Sequence, residues 1–243
     1  MRRAKIIATI GPKSHSIKVL KNLIQAGMDV ARLNFTHSDH AFHQQAIVNI
    51  RELSNEMDVP LAIMQDLQGI KIRTGTLKKG KAIRLVKGQD FFITTNSIEG
   101  TAEGVSASYQ ELPQDVKTGD QVLLSDGLIE LQVVNSSASE VQCTVVMGGI
   151  LNQRQGINLP GVKISAPTLS QKDLEDIDFG VHHAVDFIAL SFVRGPKDVL
   201  VLREELKRRK ADIPIIAKLE RPLAIENLGD ILSVADGVMI ARG

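Results

Sequence analysis

Six short, mostly apolar runs separated by segments of helical period constrain this chain more than any other feature. The runs are Ala4–Ile10, Met28–Leu33, Leu61–Met64, Phe187–Leu190, Ile213–Ala217 and Val238–Ala241. Runs this short and this apolar are strands buried on both faces, as in a parallel sheet. Between them, apolar residues recur every three or four positions. Ile17, Leu20, Leu23 and Ile24 share one helical face, ended by Gly27. Phe42, Ala46, Ile50, Leu53 and Met57 share a second, and Val199, Leu202 and Leu206 a third. A single further helix is expected to carry Ile225, Leu228, Ile231 and Leu232. Ser170 followed by Asp173 reads as a helix N-cap. Such alternation specifies a parallel α/β sheet, open or closed into a barrel, and spacing alone does not choose between them.

The alternation breaks from about Ile70 to Pro167. There the chain shows short runs between turn signals such as Lys79-Gly80, Lys87-Gly88 and Gly148-Gly149. Val122–Leu124 and Leu128–Val134 flank Asp126-Gly127, a hairpin signature. The expected organisation is therefore 1–70, first part of an α/β domain; 71–167, an inserted all-β domain; and 168–243, its continuation. A complete (β/α)₈ barrel takes about 250 residues. If the α/β part is a barrel, it is incomplete, with about six strands present.

Composition excludes several classes. Of 243 residues, 29 are Lys or Arg and 28 Asp or Glu, for a net charge of +1, which gives no electrostatic reason to expect nucleic acid or an anionic membrane as partner. No apolar run approaches the roughly 20 residues of a membrane helix, and the apolar stretch in MRRAKIIATIGPKS is too short for a signal peptide. The lone Cys143 rules out an internal disulfide framework and is compatible with the cytoplasm. No Cys/His cluster has zinc spacing, and an aromatic content of 3% leaves few platforms for stacking bases.

In parallel α/β folds, functional side chains gather at the carboxyl ends of strands. That rule selects Arg32, Asn34, Thr36 and His37 after the second strand and Asp66, Lys71 and Arg73 after the third. It selects Ser191 and Arg194 after the fourth, Lys218 and Glu220 after the fifth, and Arg242 and Gly243 after the sixth. Arginine forks suit phosphate. A carboxylate such as Glu220 suits Mg²⁺, which normally completes its shell with phosphate oxygens and water. Lys218 and Glu220, two residues apart on an extended strand, point to one side, and such a pair suits a transferring phosphoryl group. Taken singly, Lys218-Leu219-Glu220 fits a surface ion pair better, and Arg32-Leu33-Asn34 fits either reading equally. His37 reads as structural or solvent-facing, His40 and His43 as a polar helix face, His182-His183 as a helix end, and Gly148-Gly149 as a turn. Together the strand-end groups describe an anion site with a metal and no particular substrate.

At these residues the sequence resembles pyruvate kinase. Lys5–Pro12 resembles the family's N-terminal strand, and Ala26–His37 its most specific early motif. Leu124–Ile129 and Gly156–Gly161 resemble motifs of its inserted domain. Ile216–Glu220 resembles its active-site signature, and Ala235–Gly243 the last motif present. The matches run in family order along the whole chain. The resemblance implies a TIM-barrel domain interrupted by a mobile β-barrel lid, and transfer of phosphate from phosphoenolpyruvate to ADP, giving pyruvate and ATP in glycolysis. It implies that Arg32 contacts the substrate phosphate, Lys218 stabilises the phosphoryl group in flight, and the Gly243 N–H meets the substrate carboxylate. Arg73, with Asn34 and His37, would serve the nucleotide. Glu220 would bind Mg²⁺ or Mn²⁺, and Asp126 would lie in the lid. Asn34, Thr36 and Asp66 match the family's monovalent-cation site. Leu67 after Asp66, with Lys71 four residues later, resembles the branch that does not require K⁺, the lysine ammonium standing in for the ion.

Some departures bear on these expectations. The family continues after Arg242-Gly243 with an Asp that is a second metal ligand, so the chain is expected to be a piece without turnover by itself. Gln155 stands where many members have a basic residue, and Arg221-Pro222-Leu223 is less polar than the usual sequence. The family is homo-oligomeric at full length. The alternative reading is a non-catalytic, stand-alone protein that keeps a phosphate-binding half-site. A Mg²⁺-dependent aldolase-type barrel is disfavoured by the inserted domain and the Arg32 motif.

Overall fold

The structure is a computed structural model and describes residues 3–241. The chain divides into two compact units, residues 1–70 with 168–243, and residues 71–167. Among the described residues no helix is long and apolar enough to cross a membrane.

The first unit opens with β1 (Ile6–Ile10), α1 (Ile17–Gln25), β2 (Met28–Asn34), α2 (His40–Glu56) and β3 (Ala62–Asp66). Gly27, at φ +99°, turns the chain sharply from α1 into β2, a conformation glycine adopts without strain. Asp39 caps α2 by accepting the Phe42 N–H at 2.9 Å. On α1 only Leu20 and Ile24 are buried; Ile17, expected on the inner face, is exposed.

The second unit carries β4 (Ile83–Leu85), β5 (Asp90–Thr94), β6 (Gly104–Ser106), α3 (Leu112–Asp115), β7 (Gln121–Leu124), β8 (Ile129–Ser136), β9 (Glu140–Met147), β10 (Gly149–Leu151) and β11 (Ile157–Asn158). One sheet runs β11-β7-β8-β9-β5-β6, and a ribbon pairs β10 with β4. The Asp126-Gly127 hairpin joins β7 and β8 as antiparallel neighbours. Ser125, Asp126 and Gly127 all have positive φ at this turn. Alternate residues Leu131, Val133, Val141, Cys143 and Val145 form its core. The unit is predominantly β, with α3 and a 3₁₀ turn at Lys78–Gly80 as its helical parts.

The chain returns to the first unit through α4 (Gln171–His182), β12 (Phe187–Leu190), α5 (Pro196–Arg208), β13 (Ile215–Leu219), α6 (Pro222–Glu226), α7 (Leu228–Val234) and β14 (Gly237–Ile240). Ser170 and Asp173 form the expected capping box, each side chain bonding the other's backbone N–H. The helix expected over Ile225–Leu232 is instead two helices meeting at Asn227. Asn227 is a weak helix former, and its side-chain amide donates to the Arg194 carbonyl at 2.9 Å. The break leaves Ile225 and Leu232 exposed rather than on one buried face.

The six strands of this unit pair in the order β1-β2-β3-β12-β13-β14, every pair parallel. Spatial order equals chain order, with no reversal. An open doubly wound sheet requires a reversal point; a barrel wall does not. The core beneath is built of Ala31, Leu33, Ile63, Ile188, Leu190, Ile215 and Ala217 from the strands with Leu20, Ile50, Val199 and Leu202 from the helices. Residues aligned across neighbouring strands, Asn34 with Asp66 and Asp66 with Ala189, bring the carboxyl ends of β2, β3 and β12 level.

Candidate active site

Asp66, the last residue of β3, is 1% exposed and sits between two cations. Its Oδ2 accepts from Arg32 Nε at 2.7 Å and forms an ion pair with Arg32 Nη2. Its Oδ1 faces the Lys218 ammonium at 3.2 Å. Arg32 lies on β2 two residues before its end, so its side chain reaches forward to the same rim, and its Nη1 donates to Thr9 of β1 at 2.8 Å. Lys218 lies inside β13, 8% exposed. It donates to Ser191 Oγ at 2.8 Å and stands 3.3 Å from Glu220 Oε1. Ser191 in turn donates to the Leu67 carbonyl at 2.6 Å. Glu220 Oε2 accepts the Phe192 N–H at 2.8 Å.

The cluster is thus Arg32⁺, Asp66⁻, Lys218⁺ and Glu220⁻, drawn from the carboxyl ends of β2, β3 and β13. A buried ammonium is tolerable only when paired, and Lys218 has a carboxylate on either side. A hydrogen bond to Ser191 and the flanking carboxylates at 3.2 and 3.3 Å restrict this flexible side chain to one place. Arg32 keeps 23% of its side chain open to solvent, so it can meet an anion from outside while Asp66 holds it from behind.

The other strand-end candidates distribute as follows. Asn34 Oδ1 accepts the Thr36 N–H at 3.0 Å, closing a turn after β2. His37 is exposed, and its carbonyl accepts from His43 Nε2 at 3.0 Å. His43 departs from the expected polar face: it is 2% exposed and stacks on Phe35 at 4.1 Å between centroids. His40 pairs with the buried Asp176 at 2.7 Å. Arg194 lies outside the cluster, its guanidinium bonded to Asp198 at 2.7 and 3.0 Å. Burial alone would raise the Asp198 carboxyl, but hydrogen bonds from Arg194 and Thr168 hold it below its ordinary value. Arg73, Lys71 and Asp126 belong to the second unit; Arg73 Nη1 donates to the Arg154 carbonyl at 3.0 Å, and Lys71 and Asp126 are exposed. Arg242 and Gly243 lie outside the described residues. Thr9 and Phe192 were not among the sequence candidates. Thr9 left a trace, a hydroxyl inside an apolar strand; Phe192 meets Glu220 through its backbone N–H and left none.

Among the described residues no three or more His, Cys, Asp or Glu side chains converge as a metal-binding group. The donor set therefore does not form a protein cage. It fits Mg²⁺ or Mn²⁺ held by one carboxylate, Glu220, with oxygens of a phosphorylated substrate and water completing the shell.

A singly wound parallel sheet with paired cations and carboxylates at its carboxyl rim defines a barrel-type α/β protein. Comparison with known proteins narrows the class. The family described as "Pyruvate kinase, barrel domain" matches residues 1–243. The chain is 46% identical over 245 residues to the pyruvate kinases of Staphylococcus aureus strains USA300 and NCTC 8325, covering 100% of this chain and 42% of each relative. A crystal structure of a pyruvate kinase from Cryptosporidium parvum superposes with a TM-score of 0.92 at 39% identity, over 99% of this chain and 51% of that one. The chain belongs to the pyruvate kinase family, and it spans about two fifths of the length of the curated relatives it matches.

Proposed function

We propose that the chain forms part of a cytoplasmic pyruvate kinase, which transfers the phosphoryl group of phosphoenolpyruvate to ADP to give pyruvate and ATP. The observation that carries this reading is the Lys218 ammonium, buried between Asp66 and Glu220 at the rim beside Arg32. Phosphoryl transfer asks a protein mainly for positioned positive charge around oxygens that gain charge on the way. In this reading Arg32 binds the substrate phosphate with its solvent-facing side, and Lys218 faces the phosphoryl group as it moves. Asp66 keeps both cations in register. Glu220 holds the divalent ion, which supplies charge neutralisation at the phosphate oxygens. Arg73, with Asn34 and His37, serves the nucleotide; Gly243 meets the substrate carboxylate; and the second unit acts as the β-barrel lid, with Asp126 in it, excluding water.

K⁺ is not required in this reading. The Leu67 side chain is fully buried in the core and offers no hydroxyl ligand, and Asp66 is already paired with Arg32 and Lys218. Asn34, Thr36 and Asp66 are then a vestige of a cation site in which Lys71 supplies the charge.

The test is pyruvate formation by the full-length polypeptide from phosphoenolpyruvate and ADP with Mg²⁺, first in tetramethylammonium buffer and then with added K⁺. ADP-dependent turnover, nearly unchanged by K⁺, is expected. Substrate binding without turnover would favour a non-catalytic phosphate-binding protein instead, and manyfold activation by K⁺ would overturn the role of Lys71.

A further inference from the structure

Ser191 and Phe192 follow β12, and Phe192 has φ +57°, the left-handed region. A bulky residue is strained there and persists only when its surroundings hold it. The conformation aims the Phe192 N–H at Glu220 Oε2, 2.8 Å away. The ring is gripped from two sides. On one is Gly69, itself at φ +64°, where a Cβ would come within 3.0 Å of Ser191 Cβ and 3.2 Å of Phe192 Cδ2. Gly69 is fixed in turn by donating its N–H to the buried Asp173 at 3.0 Å. On the other is Arg221, whose Cζ lies 5.3 Å from the ring centroid.

Among the described residues the Arg221 guanidinium makes no hydrogen bond or ion pair within bonding distance; it lies over the Phe192 face. Pro222, at the first turn of α6, has its own φ fixed by its ring and keeps Arg221 before it in the extended conformation.

We propose that Arg221 is a positioning residue for Glu220: stacked on Phe192, it clamps the left-handed turn whose N–H orients the Glu220 carboxylate. Glu220 Oε2 is then committed to the peptide, and Oε1, near Lys218, is the oxygen presented to a divalent ion. The inference rests on Glu220 as the metal-binding carboxylate. It assigns work to Arg221 and Phe192 that involves no contact with substrate.

The experiment uses the full-length polypeptide with Mn²⁺ alone as probe, free ion being followed by electron paramagnetic resonance, with melting temperature measured in parallel. Arg221→Met keeps the stem and removes the cation. Phe192→Leu removes the aromatic face, and Arg221→Lys keeps a cation over the ring. Arg221→Met and Phe192→Leu are each expected to weaken Mn²⁺ binding about 3- to 10-fold, with little change in metal-free melting temperature. Arg221→Lys should recover most of the loss. Glu220→Gln serves as the reference. If it leaves Mn²⁺ affinity unchanged, the reading of Glu220 fails and the inference with it. If Glu220→Gln weakens binding while Arg221→Met does not, the inference alone is overturned. A raised KM for phosphoenolpyruvate with Mn²⁺ affinity intact in Arg221→Met would make Arg221 an anion contact and likewise overturn it.

Discussion

His43 shows how a residue's chemistry can invert its reading. By type it suits a helix's wet face, yet it lies under Phe35 with Nε2 donating to the His37 carbonyl. That bond places the proton on Nε2 and leaves Nδ1 buried without a partner among the described residues. Charging the ring would put an N–H⁺ into an apolar pocket. Burial accordingly holds the His43 pKa below 6.5, against a smaller upward pull from the His37 carbonyl and Asp176; His40 and Lys172 push the same way as burial. A folded-state pKa depressed below the unfolded value gives stability that is complete above about pH 6.5 and is lost as pH falls through the folded value. The urea midpoint should therefore drop between pH 6.5 and 5, and the drop should be smaller in His43→Gln, which keeps a donor to His37. Equal slopes in both proteins would contradict this. Other residues were legible. Lys218 and Glu220, two apart, were expected to point to one side, and they stand 3.3 Å apart. Phe192 was not legible, because a backbone angle leaves no mark in residue type.

At the scale of elements, α4 carries a glycine in its interior where alanine would favour the helix by about 1 kcal/mol. The reason lies on β3. A Cβ on Gly180 would come 2.1 Å from Gln65 Oε1 and 2.9 Å from its Cδ. Gln65 is fully buried beside Asp66, and its amide donates to the Asp176 carbonyl at 2.6 Å. Gly180 therefore lets the strand that ends in Asp66 lie against α4. Gly180→Ala should destabilise the chain by about 1–3 kcal/mol despite its better propensity. In combination with Gln65→Ala the cost should fall well below the sum of the single costs, a coupling read from a double-mutant cycle by denaturant unfolding. Additive costs would show that the clash relaxes elsewhere. The helical spacing held for α2 and α5, the N-cap read at Ser170 held for α4, and the spacing failed at Asn227. There a short polar residue bonds to the Arg194 carbonyl and splits one expected helix into two.

At the scale of the molecule, the parallel α/β character was legible because buried parallel strands are short and apolar. The choice between open sheet and barrel was not, since it depends on which strands are neighbours. The order β1-β2-β3-β12-β13-β14 decides it, and that same order assembles the site. Thr9, Arg32, Asp66, Ser191 and Lys218 are far apart in sequence and meet because successive parallel strands end at one rim. The central claim is that this rim stabilises a phosphoryl group in transfer, with Lys218 acting on charge that develops during the reaction. Such an interaction shows itself in kcat, whereas ground-state binding shows itself in KM. The decisive measurement is the steady-state kinetics of Lys218→Met in the full-length polypeptide, with phosphoenolpyruvate varied at saturating ADP and Mg²⁺. The account predicts a fall in kcat of about 100-fold or more with KM for phosphoenolpyruvate changed only a few-fold. A rise in KM with kcat preserved would make Lys218 a ground-state binder and contradict it.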